Sequence, residues 1–165
     1  MQDDTETVDT IFYPLYNKIL NYWFPSAEGY DVSPYWTIPG SRNSDDLAID
    51  FVVEHSQRPL LLVEIKAPSE FNLDSGRHAA ISQISQRLDE VKPGVDRLYA
   101  IGKKWRACYT LNGKGSKGAQ LVGGVALSSS LRGFDTNCWN PDITSDASWA
   151  ALRGIVETIK GYVDQ

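Results

Sequence analysis

The sequence predicts an α/β (α+β) fold, a mixed central β-sheet flanked by helices. Three observations carry that expectation. Segments with helical periodicity alternate with short apolar runs in the order helix, strands, helix, strands, helix. The two most apolar runs, Leu47 to Val53 and Pro59 to Ala67, are separated only by the polar stretch EHSQR, the spacing of a hairpin. Nothing along the 165 residues, neither repeat, low-complexity tract nor linker, divides the chain, so a single domain over 1–165 is expected.

Taken in order, residues 10–24 read as a helix with Ile11, Leu15, Ile19, Tyr22 and Trp23 on one stripe. Pro14 falls in its first turn, where a missing N–H is harmless. A loop rich in Gly, Ser, Pro and Asp follows, with a short strand at Tyr35 to Ile38. After the two apolar runs, Asp74 to Val91 has helical periodicity through Ile81, Ile84, Leu88 and Val91, and Lys92-Pro93-Gly94 stops it. Arg97 to Ile101, Trp105 to Leu111 and Gln120 to Leu127 read as strands, with NGKGSKG as the turn between the last two. The amphipathic segment Asp146 to Val163 closes the chain, with Trp149, Leu152, Val156, Ile159 and Val163 on its apolar side.

The apolar hairpin carries charges where a buried strand should carry none. With its turn centred near Gln57, Asp50 lies opposite Glu64, and alternation puts Asp50, Glu64 and Lys66 on one face. Ile49, Phe51, Val53, Leu61, Val63 and Ile65 make the other face wholly apolar. The charges therefore gather at one end of one face. Opposed carboxylates in such surroundings are costly unless neutralised. Lys66 supplies one positive charge, and a divalent cation would supply the rest. Two carboxylates completed by a backbone carbonyl and waters suit Mg²⁺ better than zinc. A plain Glu-x-Lys ion pair, with Asp50 capping a turn, also accounts for the trio.

Asp50, thirteen intervening residues, then Glu64-Ile65-Lys66 resembles the PD-(D/E)XK nuclease superfamily, in the flavour of its stand-alone fungal members. The resemblance implies a restriction-endonuclease-like core of a helix, a three-strand meander bearing the acids, a helix and another strand. Residues 10–101 follow that order, and 102–165 would be an elaboration. Ile49 stands where the motif often has Pro. Residues 11–24 contain no acid to match the Glu that the first helix sometimes contributes, and Glu28 or Asp46 are candidate replacements. What the resemblance implies for function is a Mg²⁺-dependent phosphodiesterase, a nuclease acting on DNA before RNA, with Mn²⁺ as a substitute metal. Asp50, Glu64 and the carbonyl of Ile65 would hold the metal. Lys66 would orient the attacking water or stabilise developing charge, and Gln83 would orient the lysine or a metal-bound water.

Basic residues for a phosphate backbone cluster in IGKKWRACY, as Lys103, Lys104 and Arg106, and on the second helix, as Arg77 and Arg87; Arg42 in SRNSDD could also reach a phosphate. Lysines guarding a sheet edge against aggregation explain the first cluster equally well. Alternation assigns Trp105 to the core rather than to a stacking surface.

Hydrophobic content of 42% with 22% charged residues excludes a mostly disordered chain. Two cysteines exclude a disulfide framework and a cysteine-based zinc site. The net charge of -5 argues against a surface that grips nucleic acid everywhere, while leaving room for a local basic groove. No run reaches a membrane span, and the acidic start MQDDTETVDT lacks a signal peptide, so an intracellular protein, cytoplasmic or nuclear, is expected. A homodimer is compatible with the reading. The alternative is a catalytically inactive module of the same fold that binds nucleic acid or a protein partner.

Overall fold

Alternating apolar residues along the central hairpin seed a sheet, and the remaining elements are laid against it. The computed structural model describes residues 7–36, 49–79, 95–109, 120–122, 139 and 142–163. Among these, six strands form one sheet in chain order: β1 (Tyr30–Trp36), β2 (Ile49–His55), β3 (Arg58–Lys66), β4 (Asp96–Ile101), β5 (Lys104–Tyr109) and β6 (Gln120–Val122). Neighbours are antiparallel except β3 and β4, which run parallel, so the sheet is mixed. Helix α1 (Tyr13–Trp23) is entered through a 3-10 turn over Thr10–Phe12, and α2 is Asp146–Gly161. Between β3 and β4 lie a 3-10 segment, Pro68–Asn72, and helical residues 74–79. This is an α/β fold.

The centre of the sheet is covered on both faces. On one, Phe51, Val53, Leu61, Val63, Ile65, Leu98, Ala100 and Trp105 join Phe12, Tyr16, Ile19 and Leu20 beside α1 and Leu152, Ile155, Val156 and Ile159 of α2 in a single core. The two helices meet through Trp23 and Trp149, whose ring centroids are 4.8 Å apart. On the other face Val52, Leu62, Glu64 and Ile101 are buried as well. The row Ile65, Ala100 and Trp105 crosses three strands and is fully enclosed. Trp105 is thus core, as its alternation implied, and its indole N–H donates to Ser148 Oγ at 2.8 Å.

Several expectations shift in detail. The inward stripe of α1 is Phe12, Tyr16, Ile19 and Leu20 rather than one through Ile11 and Tyr22, which are exposed. Tyr16 can be buried because its hydroxyl donates to the Gly102 carbonyl at 2.7 Å, satisfying the polar tip. The strand expected at Tyr35 starts earlier, at Tyr30, directly after Gly29 turns the chain with φ +84°. The hairpin loop is only Ser56-Gln57, both with positive φ, and a register shift lies between Val53 and Glu54, two residues before it on β2. The stripe of the second helix beyond residue 79, and the strand residues of 110–119 and 123–127, lie outside the described residues. Among the described residues no helix is long and apolar enough to cross a membrane.

Gly102 closes the turn from β4 to β5 with φ +58°, and its N–H donates to the Lys66 carbonyl at 2.8 Å. A Cβ there would stand 2.8 Å from Pro68 Cγ. Gly102→Ala is therefore expected to cost at least about 1–2 kcal/mol in urea unfolding, the ordinary penalty of a left-handed residue. An unchanged midpoint would mean that the turn absorbs the side chain.

Candidate active site at the fork of β2 and β3

Strands β2 and β3 pair through Phe51↔Val63 and then separate, because β3 continues alongside β4 to Lys66↔Ile101 while β2 stays with β1 to Trp36↔Ile49. The parting of the strands leaves the Ile65 N–H without a main-chain partner on the β2 side. Asp50 takes it: its Oδ2 accepts from Ile65 N at 2.7 Å. N–H and C=O of one strand residue leave by the same edge, so the Ile65 carbonyl faces this gap too. The carbonyl of Lys66, one residue on, is used by Gly102 instead.

Glu64 continues the line of the fork. It is 2% exposed, and its Oε1 lies 3.0 Å from Lys66 Nζ. The lysine side chain is itself 23% exposed, so its stem is covered while part of it reaches solvent. Asp50, Glu64, Ile65 and Lys66 stand at one end of the hairpin, where the β2–β3 ladder stops at Phe51↔Val63, short of the expected Asp50–Glu64 pair.

The other oxygen of Asp50, Oδ1, accepts from the hydroxyl of Tyr13, the first residue of α1. The Tyr13 ring packs edge-on against Phe51, centroids 5.7 Å apart, and tilted against Tyr35 at the same distance. Burial pushes the Asp50 carboxyl above the ordinary Asp range, even though the bonds from Tyr13 and Ile65 and the charge of Lys66 pull the other way. Burial also raises Tyr13, helped by its bond to Asp50. The charge of Asp9 acts on both groups in the same sense. Neither Tyr13 nor Asp9 was visible as a site residue in the sequence. Tyr13 is one aromatic among many near the amino terminus, and Asp9 falls just outside the stretch in which an acid was sought.

The remaining candidates separate. Lys104 pairs with Ile101, which pairs with Lys66, so the two lysines sit in one row on the face of Glu64. Lys104 Nζ lies 4.6 Å from the centre of the Phe71 ring. Position 106 is aligned with Tyr99, which pairs with Glu64. Lys103 is half-buried in the turn, where its carbonyl accepts from Ile143 N at 2.8 Å. Arg77 corrects the expectation of a surface phosphate contact. It is 5% exposed, bonded to the Phe71 carbonyl and paired with Asp74. It braces the segment after β3, because a guanidinium there satisfies a carbonyl that the short 3-10 turn leaves over. Glu28 is no replacement acid: it pairs with Lys160 at 2.5 Å, beside the start of β1, which lies against His55 at the other end of β2. Gln83, Arg42, Arg87 and Asp46 lie outside the described residues.

Among the described residues no three His, Cys, Asp or Glu side chains form a ready metal group. The donor set at the fork is two carboxylates and one carbonyl, all hard oxygens. That set fits a Mg²⁺ ion that keeps several waters.

No protein-family model and no curated protein matches the chain. Among solved structures it is similar to the type IIG restriction endonuclease BpuSI, with TM-score 0.49 and 15% identity over 94% of this chain and 17% of that one. A likeness at that level identifies no activity, and this chain spans only the stated 17% of the enzyme.

Because Asp50 is less acidic folded than unfolded, the folded chain binds that proton more tightly. Its contribution to stability is present below the ordinary Asp pKa and is lost as pH rises through the raised folded value. Asp50→Asn cannot ionise, and its amide can accept from Ile65 N–H and donate to the Tyr13 oxygen. The variant is expected to fold, to equal or exceed the parent in stability at neutral pH, and to show a shallower loss as pH rises from the ordinary Asp range (about 4) to neutrality in thermal melts. A less stable variant across that whole range would contradict the burial argument.

Proposed function

We propose that the chain is a Mg²⁺-dependent phosphodiesterase that cuts nucleic acid, with DNA as the first substrate to test. The single observation that carries this reading is a pair of covered carboxylates, Asp50 and Glu64, at a strand fork with Lys66 3.0 Å from one of them. A fold that needed only packing would fill those positions with the aliphatic residues that surround them.

Phosphodiester hydrolysis needs a positioned water, neutralised phosphoryl oxygens and help for the departing oxygen. Mg²⁺ or Mn²⁺, when bound, supplies Lewis-acid polarisation and a more acidic water. Asp50, Glu64 and the Ile65 carbonyl would hold the ion. Lys66, fixed by Glu64 but partly in solvent, would donate a hydrogen bond to the incoming water or to a phosphoryl oxygen as charge builds there. Lys104, in the same row two strands away at about 10 Å, would hold the flanking phosphate by charge. Lys103 and Arg106 are further candidates for that backbone contact, and a dimer that cuts both strands is compatible with it.

A second reading has an observation of its own. Both oxygens of Asp50 already accept hydrogen bonds from the protein, and α1 offers a tyrosine hydroxyl where an acid would serve a metal. On that reading the chain is an inactive module of the same fold that binds nucleic acid or a partner protein.

Calorimetric titration of Mg²⁺, with plasmid and single-stranded cleavage on the same samples, separates the two. The nuclease reading predicts that Glu64→Ala loses both metal binding and cleavage. It predicts that Lys66→Ala keeps the metal but loses cleavage by roughly a hundredfold or more, the scale of a lost transition-state donor. Full cleavage by either variant, or cleavage undiminished by a chelator, would move the activity away from this site.

A further inference from the structure

We infer that Tyr13 is the positioning residue of this site: its hydroxyl and the Ile65 N–H together fix the Asp50 carboxylate in the orientation in which it serves a divalent cation. The inference rests on the nuclease reading and adds to it the contribution of the first helix.

The geometry is that of a carboxylate held at both ends. Tyr13 donates to Oδ1, and Ile65 N donates to Oδ2 at 2.7 Å, so neither rotation of the Asp50 side chain is left open. Each carboxylate oxygen has two acceptor sites, and one on each stays available for an ion. The hydroxyl is itself well placed. Tyr13 opens α1, and one turn later Tyr16 anchors that helix to the Gly102 carbonyl at 2.7 Å. The Tyr13 ring is wedged between Phe51 and Tyr35.

Tyr35 adds an independent observation. It falls between the pairs Pro34↔Phe51 and Trp36↔Ile49, in the place facing Asp50, yet it makes no ladder pair and has φ +52°. A non-glycine residue in that conformation is held there by its surroundings. The deviation leaves β1 unpaired with Asp50 at this one point, with the register on either side unchanged, and lays the ring of the 61% exposed Tyr35 against Tyr13. Asp50 is thus served by a side-chain hydroxyl on one flank, where a regular ladder would have run past it.

The test is calorimetric titration of Mn²⁺ alone into the full chain, comparing the parent, Tyr13→Phe and Glu64→Ala. Phenylalanine keeps the ring between Phe51 and Tyr35 and removes only the hydroxyl. Binding by the parent, none by Glu64→Ala, and about 10–100-fold weaker binding by Tyr13→Phe is the expected result. Thermal melting of metal-free Tyr13→Phe should fall by only about 2–4 °C, the effect of one hydrogen bond in a chain of this size. Its cleavage should recover at raised Mn²⁺ with KM for DNA unchanged, which a merely structural role would not produce. Equal Mn²⁺ affinity in Tyr13→Phe and the parent overturns the inference and leaves the nuclease reading standing. No binding by the parent overturns that reading and the inference with it.

Discussion

One hydrogen bond organises this molecule, the one from the Ile65 N–H to Asp50. β3 must leave β2 in order to pair in parallel with β4 through Lys66, and leaving exposes a main-chain donor inside a covered sheet. A buried N–H with no acceptor is strongly unfavourable, so something has to replace the lost strand. Asp50 replaces it with a carboxylate oxygen at 2.7 Å. The same substitution that completes the fold draws an acid into the gap beside Glu64 and the Ile65 carbonyl. Through Tyr13 it also ties α1 to the end of β2. Fold and site share a cause here, and neither is an addition to the other.

How much of this was readable beforehand depends on which force set each position. Period-two alternation is dictated by the pleat, so the sharing of one face by Glu64 and Lys66 follows from counting. The pairing of β2 with β3 up to Phe51↔Val63, one position short of Asp50 and Glu64, was reached partly by compensation. The real turn is one half-residue earlier than Gln57, giving His55↔Arg58 and Glu54↔Pro59, and the register shift between Val53 and Glu54 then restores the pairing that a centre at Gln57 implies. Tyr13 was illegible because nothing local distinguishes it from Tyr16 or Tyr22. Its role exists only once α1 is docked over the strand fork. Arg77 was misjudged for a related reason: a cation on a helix reads as solvated unless the carbonyl it will satisfy, that of Phe71, is known to be left over. The stripe of α1 was displaced because counting apolar letters favours Ile11, whereas the core selects Phe12 and Tyr16, whose larger rings fill the space against the sheet.

The electrostatics of the fork explain why two acids can persist there. Lys66 compensates one of them directly, and hydrogen bonds to Asp50 recover part of what its burial costs, but burial still prevails and the carboxyl is raised. A site left in that condition is more costly to the fold than an apolar one of the same shape, and such local conflicts are characteristic of positions retained for function. A cation would relieve the conflict, since it rewards the ionised form of both acids at once. The second reading relieves it differently, by letting the Tyr13 bond and a proton carry Asp50 without metal.

The direction in which charge changes across the sheet bears on the choice between these. From the fork outward the row on the Glu64 face runs from Lys66 through buried Ile101 to Lys104, with no acid in that row. At the fork end stand the acids Asp50 and Glu64, and the charge of Asp9 acts on Asp50 there. An acidic pole next to a basic row suits a ligand that is itself anionic and brings, or meets, a cation at one point along its length. A phosphodiester chain is such a ligand: its phosphates would follow the lysines by charge, and the one that reaches the fork could approach two carboxylates only with a cation between them. A protein partner held by the lysines alone would give the buried acids nothing to do. On charge placement, then, the catalytic reading accounts for both ends of the row, and the binding-module reading for one.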